Sequence, residues 1–306
     1  MREPPPGVAG ADVLAAVRAT WSSEVDAVAH LAVGFGAHHW VASTSGRPLF
    51  FVTLDALGAR HSFASLSAAY AGAATLASAG LSFVVPTLSV VPFGDGALSA
   101  TPWVEGEVAG RGPLTSAGDA RESAAQLAAL HATDPPAGIP AWAAPLVPVD
   151  FAEMLLARLD HPWETGPFGE RARSALCSHA DDVVRWVATY HRLADEARTL
   201  PWVPTHGEPH TRNMIRTGDG LVLVDWESLK LAPRERDLRT LVDSGHTDLA
   251  LPHPPMLEMF DLEWRLDEVA QYATWFEAPH AGSASDEVAI GGLLEELDRP
   301  EWRDPT

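Results

Sequence analysis

The stretch Thr205-His206-Gly207-Glu208-Pro209-His210-Thr211-Arg212-Asn213 decides how this chain is read. Gly207 and Pro209 punctuate it as a loop, which puts Glu208 and Asn213 five residues apart on one short piece of backbone. Twelve residues after Asn213, the apolar run Leu221-Val222-Leu223-Val224 leads into Asp225-Trp226-Glu227. A short apolar run rich in Leu and Val reads as a strand, so Asp225 stands at a strand end. Pro233-Arg234-Glu235-Arg236-Asp237-Leu238 follows. Alone, His-Gly-Glu is a turn and Asp-Trp a capped strand end. Together and in this order they form a far more specific set.

Upstream, the chain starts with a helix over 13–20 and then changes texture. Short β-rich runs at 29–33, 39–42 and 49–54 are separated by Gly34 and Gly36 and by Ser45-Gly46-Arg47-Pro48, which predicts a meander. An Ala/Ser-rich helix over 61–79 ends at Gly80, and strands at 87–91 and 97–104 flank the turn Phe93-Gly94-Asp95-Gly96. After Gly112 the pattern is helical, over 119–131, 151–159 and about 170–200, where Pro201 stops it. Helices are again expected over 235–242, 256–276 and 286–297. A β-rich front of residues 1–105 joined to a helical back of 106–306 predicts two lobes.

The 306 residues are enough for about two domains. A hydrophobic fraction of 46% with 20% charged residues is that of a globular chain, and no apolar run is long enough for a membrane span. The polar, proline-rich start predicts no signal peptide, and with it a cytoplasmic location. One cysteine, Cys177, excludes an intrachain disulfide and a multi-cysteine zinc site. The net charge of −20 disfavours nucleic acid as a partner. Residues 255–306 alone hold 13 acids against 3 bases, which would attract a cationic small molecule. Lys230 is the only lysine.

With these residues in view, the sequence resembles the aminoglycoside phosphotransferase family, within the protein-kinase-like fold. That family carries His-Gly-Asp, four residues, Asn, then Asp-Trp or Asp-Phe at a strand end, then Asp-Leu opening a helix. The helix end Leu127-Ala128-Ala129-Leu130-His131 and the front meander match its layout too. The resemblance implies an α+β, bilobal protein-kinase-like fold, with a small β-rich N-lobe and a larger helical C-lobe. It also implies an O-phosphotransferase that uses ATP or GTP and Mg2+. Glu208 would orient the acceptor or act as base, Asn213 and Asp225 would be metal ligands, and Glu227 would stand behind them. His206 and Asp237 would hold the loop. Acids on the late helices of the family bind substrate ammonium groups, which points to Asp261, Glu263, Asp267 and Glu268. The stretch Trp103-Val104 would meet the nucleotide base.

Two departures matter. Glu208 stands where the family has Asp, and the extra methylene moves the carboxylate by about 1.5 Å, enough to alter a rate. Kinase-like folds also place a lysine on the third front strand, paired with a helix glutamate, to grip phosphates. Here Thr53 occupies the lysine position and the helix over 61–79 has no acid. The phosphate charge would then be met by the amides of Gly34-Phe35-Gly36-Ala37, by His38 and His39, or by Arg47 or Arg60.

The acceptor that fits best is a cationic antibiotic, an aminoglycoside or a basic cyclic peptide, handled by a monomer or homodimer. The alternatives are a choline- or fructosamine-type metabolite kinase, and a kinase-like protein that sequesters a cationic ligand. A metal hydrolase or zinc deaminase built on His206 and His210 lacks a third ligand.

Overall fold

The computed structural model describes residues 1–302 except 35, 59, 111 and 144–146. In chain order the elements are α1 (Gly10–Thr20), β1 (Ala27–Leu31), β2 (His38–Thr44), β3 (Arg47–Ala56), α2 (Phe63–Ser78), β4 (Val91–Phe93), β5 (Gly96–Pro102) and β6 (Glu107–Val108). There follow α3 (Ala117–His131), α4 (Phe151–Leu159), α5 (Gly169–Ser178), α6 (Ala180–Ala197), β7 (Val203–Thr205), β8 (Met214–Thr217), β9 (Gly220–Leu223) and β10 (Lys230–Ala232). The last helices are α7 (Arg239–Asp243), α8 (Thr247–Ala250), α9 (Pro254–Glu277) and α10 (Ala284–Asp298).

The front strands form one antiparallel sheet in the order β1-β2-β3-β5-β4. Ser45 and Gly46 both have positive φ, 51° and 76°, which lets a two-residue turn join β2 to β3. The two-residue period sorts the side chains. Trp40, Ala42, Phe50, Val52, Leu54, Leu98 and Ala100 face a core shared with Val13 and Val17, which lie four apart on α1. On the other face Ala97 packs with Leu66 and Tyr70 of α2. Ser62 caps α2 by accepting a hydrogen bond from the Ser65 amide.

Two smaller sheets carry the decisive loop. Antiparallel β7 and β10 pair Thr205 with Lys230, and β6, β8 and β9 form a three-stranded sheet. Residues 206–213 are therefore slung between β7 and β8, and residues 224–229 between β9 and β10.

The fold is α+β and kinase-like, β-rich at the front and helical behind. Packing divides the chain differently from secondary structure. One compact unit comprises 1–141 and 202–251, and the other 142–201 and 252–306. The sheet and the loop thus share a unit, instead of separating at residue 105. The helix expected over 170–200 is two helices, α5 and α6, that meet at His179. Asp181 and Asp182 in the first turn of α6 are the signal for that second start. The helix expected over 235–242 is a 3-10 turn, Arg234–Asp237, followed by α7. Among the described residues no helix is long and apolar enough to cross a membrane.

Leu98 is fully buried and pairs across the sheet with Leu54, whereas Val149 is 77% exposed. Leu98→Ala is expected to cost about 2–5 kcal/mol and Val149→Ala less than about 0.5 kcal/mol. Denaturant unfolding of both variants measures the contrast.

Candidate functional site

The site is built outward from Asp237, at the end of the 3-10 turn and 1% exposed. Its Oδ2 accepts from the His206 amide at 3.0 Å, and its Oδ1 from the Gly207 amide at 2.6 Å. His131 Nε2, at the end of α3, lies 3.0 Å from Oδ2. Burial alone would raise the Asp237 pKa. The hydrogen bond from His131 and the charges of His131, His206 and Arg236 outweigh it and hold the carboxyl below its usual value. Gly207 has φ of 96°, and a Cβ there would lie 2.3 Å from Arg236 Nη2. Only glycine fits this turn. Arg236 Nη1 donates to Thr205 Oγ1 and to the Ser228 carbonyl, joining the end of β7 to the other loop.

His206 makes the second link. The Glu208 amide donates to its Nδ1 at 3.2 Å, so the ring proton is on Nε2, which donates to the Val224 carbonyl at 2.9 Å. Burial lowers the ring's pKa and keeps it neutral. Asn213 makes the third link. Its Nδ2 donates to the Glu208 carbonyl at 3.0 Å, and its own carbonyl accepts from the Val224 amide at 3.0 Å. Glu208, Asn213 and Asp225 are brought together on two loops stitched by these bonds.

Asp225 has φ of 68°, a left-handed conformation that aspartate tolerates and most other residues resist. Residue 225 is exposed, so an ion can reach it. The desolvating protein around its carboxyl, and then the charges of Glu227 and Glu208, raise its pKa well above the usual range. Glu208 goes the other way. Burial would raise its pKa, but Arg60, His210, Arg236 and His206 bring it below the ordinary value, so it is ionised at neutral pH. Its Oε1 accepts from Arg60 Nη2 at 3.3 Å and from Ser228 Oγ at 3.2 Å. Its Oε2 lies 3.8 Å from His210 Nε2.

Behind these stands a pair of acids. Asp55, 4% exposed at the end of β3, is hydrogen-bonded to Glu227. Burial and the neighbouring acids raise both pKa values, Asp225 acting on Asp55 and Asp55 and Glu208 acting on Glu227. The pair thus tends to keep a proton between its members. His61 Nε2 lies 3.7 Å from Glu227 Oε1, and burial lowers the His61 pKa to about 4.

The front-sheet candidates fall as follows. Gly34 and Gly36 have φ of 68° and 91° and form the β1–β2 connection, while Phe35 between them lies outside the described residues. His38 Nδ1 is 3.0 Å from the Glu3 carbonyl oxygen, and His39 Nδ1 is 3.2 Å from Thr53 Oγ1. Burial lowers both pKa values, that of His39 to about 3. Both imidazoles are therefore neutral at physiological pH. Arg47 lies elsewhere. It is exposed and opens β3 at the far end of the hairpin from Gly34 and Gly36, so it cannot serve the same phosphate. Arg60 does reach the loop, through Glu208. The Trp103 amide donates to the Leu49 carbonyl, and Val104 makes no main-chain hydrogen bond among the described residues.

In the second unit, the four candidate acids of α9 have internal partners. Asp261 pairs with Arg299 and is 2% exposed. Glu263 Oε2 accepts from Trp142 Nε1 and Tyr190 OH, each at 2.7 Å. Two buried donors on one carboxylate make Glu263 part of the helix packing, which corrects its reading as a substrate contact. Asp267 accepts from Gln271, and Glu268 is hydrogen-bonded to Tyr272. Sequence reasoning missed Asp55, His61 and Ser228. The available signal for Asp55 was a single acid inside the apolar run 49–56.

Among the described residues no three His, Cys, Asp or Glu side chains already surround a common point for a metal. The Asn213 and Asp225 donors fit magnesium, which takes few protein oxygens and completes its shell with water and phosphate oxygens. The hydrogen bond from Asn213 Nδ2 leaves its Oδ1 as the available oxygen.

A family model described as "Phosphotransferase enzyme family" matches residues 29–275. A stretch of 96 residues is 36% identical to protein StrN of Streptomyces griseus, covering 31% of this chain and only 30% of that protein. Among solved structures, spectinomycin phosphotransferase APH(9)-Ia in complex with ADP and spectinomycin superposes with a TM-score of 0.74 at 12% identity, covering 96% of each chain. Aminoglycoside phosphotransferase APH(4)-Ia with AMP-PNP and hygromycin B gives 0.56 at 13% identity, covering 94% of this chain and 100% of that one. A choline/ethanolamine kinase family protein from Mesorhizobium loti gives 0.56 at 17%, covering 95% of each. At such identities the likeness establishes the fold.

Asp237→Ala would leave His131 and two buried amides without their acceptor, and is expected to cost about 3–5 kcal/mol. Because its pKa is lowered on folding, its contribution is fully present above the ordinary carboxylate pKa of about 4 and is lost as pH falls below it. Thermal melts from pH 7 to pH 3 should show the wild-type advantage shrinking with acid. A constant gap would assign the effect to packing instead.

Proposed function

Because the chain belongs to the phosphotransferase enzyme family, we propose that it moves the γ-phosphoryl group of ATP or GTP to a hydroxyl of a small cationic antibiotic in the cytoplasm. The observation that carries this reading is the stitched pair of loops: Glu208 ionised beside Asn213 and Asp225, with Asn213 bonded to both segments. Asn213 and Asp225 would hold Mg2+, which neutralises phosphate charge as the phosphoryl group transfers.

The protein's own groups do the positioning. Glu208 accepts the acceptor's O–H and receives its proton. A carboxylate of lowered pKa is a weak base, so orientation is its larger share. Arg60 and Ser228 fix Oε1 and leave Oε2 for the hydroxyl. Arg60 brings positive charge to the site. The unengaged amide and carbonyl of Val104 suit the edge of a nucleotide base. The acidic surplus of residues 255–306 supports a cationic acceptor, and the antibiotic-bound structural neighbours support the same class.

Labelled ATP and GTP offered with a panel of aminoglycosides, basic cyclic peptides, choline and fructosamines test this directly. Transfer to one of the antibiotics is the expected result. Transfer only to a metabolite moves the assignment to a metabolite kinase. Antibiotic binding without turnover makes the protein a sequestering one.

Glu208→Gln should lower kcat by about 10²–10⁴-fold while nucleotide affinity stays nearly unchanged, and equal loss of both would make the residue structural. Asp225→Asn should abolish Mg2+-dependent nucleotide binding in calorimetry. Unchanged binding would remove Asp225 from the metal site.

A further inference from the structure

Resting on that reading, we propose that Arg60 contacts the γ-phosphate of the bound nucleotide and that Glu208 holds it there, so that one guanidinium joins the group being transferred to the carboxylate that orients the acceptor. Arg60 stands two residues before Ser62, the cap of α2. Its Nη2 donates to Glu208 Oε1 at 3.3 Å. The next residue, His61, is buried, and its Nε2 lies 3.7 Å from Glu227 Oε1. Consecutive side chains thus meet the two stitched loops, Arg60 the one that carries Glu208 and His61 the one that carries Asp225 and Glu227.

The route from Arg60 to the ion-binding side is short. Glu208 takes Arg60 on its carboxylate and the Asn213 side-chain amide on its main-chain carbonyl, the latter at 3.0 Å. The Arg60 side chain is 35% exposed, against 18% for Glu208, so a ligand in solution can reach it. A guanidinium suits the task, because it stays charged and carries five donors in one plane, enough to serve a carboxylate and a phosphate at once. An ion pair this exposed adds little to the stability of a fold, so its use is in placement.

The other groups weighed for phosphate charge fall away. His38 and His39 are neutral, and Arg47 opens β3 at the far end of the hairpin. Arg236 is taken up by Thr205 Oγ1 and the Ser228 carbonyl. Thr53, at the lysine position, is paired with His39. The two departures from the family pattern then become one: the cation comes from Arg60, and the length of Glu208 reaches it. Shortening Glu208 to aspartate would draw the carboxylate back by about 1.5 Å, from 3.3 Å to beyond hydrogen-bond range. During transfer the acceptor oxygen bonds to phosphorus and the bond to the bridging oxygen breaks. The nucleoside diphosphate leaves with that electron pair, and the acceptor's proton passes to Glu208. Arg60 exchanges no proton and steadies the charge on the transferring oxygens.

The test measures, by calorimetry on the full chain, the binding of a non-hydrolysable triphosphate with Mg2+ and of its nucleoside. The probe is AMP-PNP or GMP-PNP, whichever wild type binds. Arg60→Ala and Arg60→Gln should each weaken the triphosphate about 10–100-fold and leave the nucleoside unchanged. Arg47→Ala removes the same charge and should change neither. Glu208→Asp should weaken the triphosphate as well, and the double variant Arg60→Ala/Glu208→Asp should bind no worse than the weaker single one, because both act through one contact. Equal loss of triphosphate and nucleoside in the Arg60 variants, or no loss, overturns the phosphate contact and leaves the phosphotransferase reading intact. Wild-type affinity in Glu208→Asp, or additive losses in the double variant, overturns the pairing with Glu208. Wild type that binds no nucleotide overturns both the proposal and the reading beneath it.

Discussion

One carboxylate holds the decisive loop in place. Asp237 receives the amides of His206 and Gly207 and the imidazole of His131, three donors from two distant stretches of chain, in a position closed to solvent. From there the order propagates by single bonds: His206 to Val224, Asn213 to Glu208, Val224 to Asn213. Each bond satisfies a main-chain group that a loop would otherwise leave to water. The loops that carry Glu208, Asn213 and Asp225 are therefore as determined as the strands on either side of them.

The electrostatics are unusual in sign. Where kinase-like folds bring a lysine to the third front strand, this chain has Thr53, and two residues on, an acid. Asp55, Glu227 and Asp225 raise one another's pKa values, while Glu208, beside Arg60 and Arg236, stays ionised. Neighbouring acids thus carry opposite protonation, because guanidinium groups lower the pKa of one and carboxyls raise those of the others.

Much of the site was legible because its residues are close in sequence. Glu208 and Asn213 share one loop, and the run 221–224 announces its own strand. The front meander was legible from its turn residues and alternation, and the kinase-like fold was what the family resemblance implied. The division at 105 marks a change of texture, whereas packing unites the sheet with residues 202–251. That His38 and His39 are neutral follows from burial, which a sequence does not show. Glu263 was read as a ligand because it does not show that Trp142 and Tyr190 reach the same oxygen.

The amino-acid sequence by itself determined the spacing of Glu208, Asn213 and Asp225, the strand and helix periods, the absence of a lysine before residue 230 and the acidic surplus. These are local or additive properties, written in neighbouring residues and totals. Tertiary structure alone decided that Asp237 holds a loop 30 residues away, that Asp55 meets Glu227 across 172 positions, and which histidines are neutral. Those outcomes depend on desolvation and on distances between segments far apart in the chain, and both come into being only when it folds.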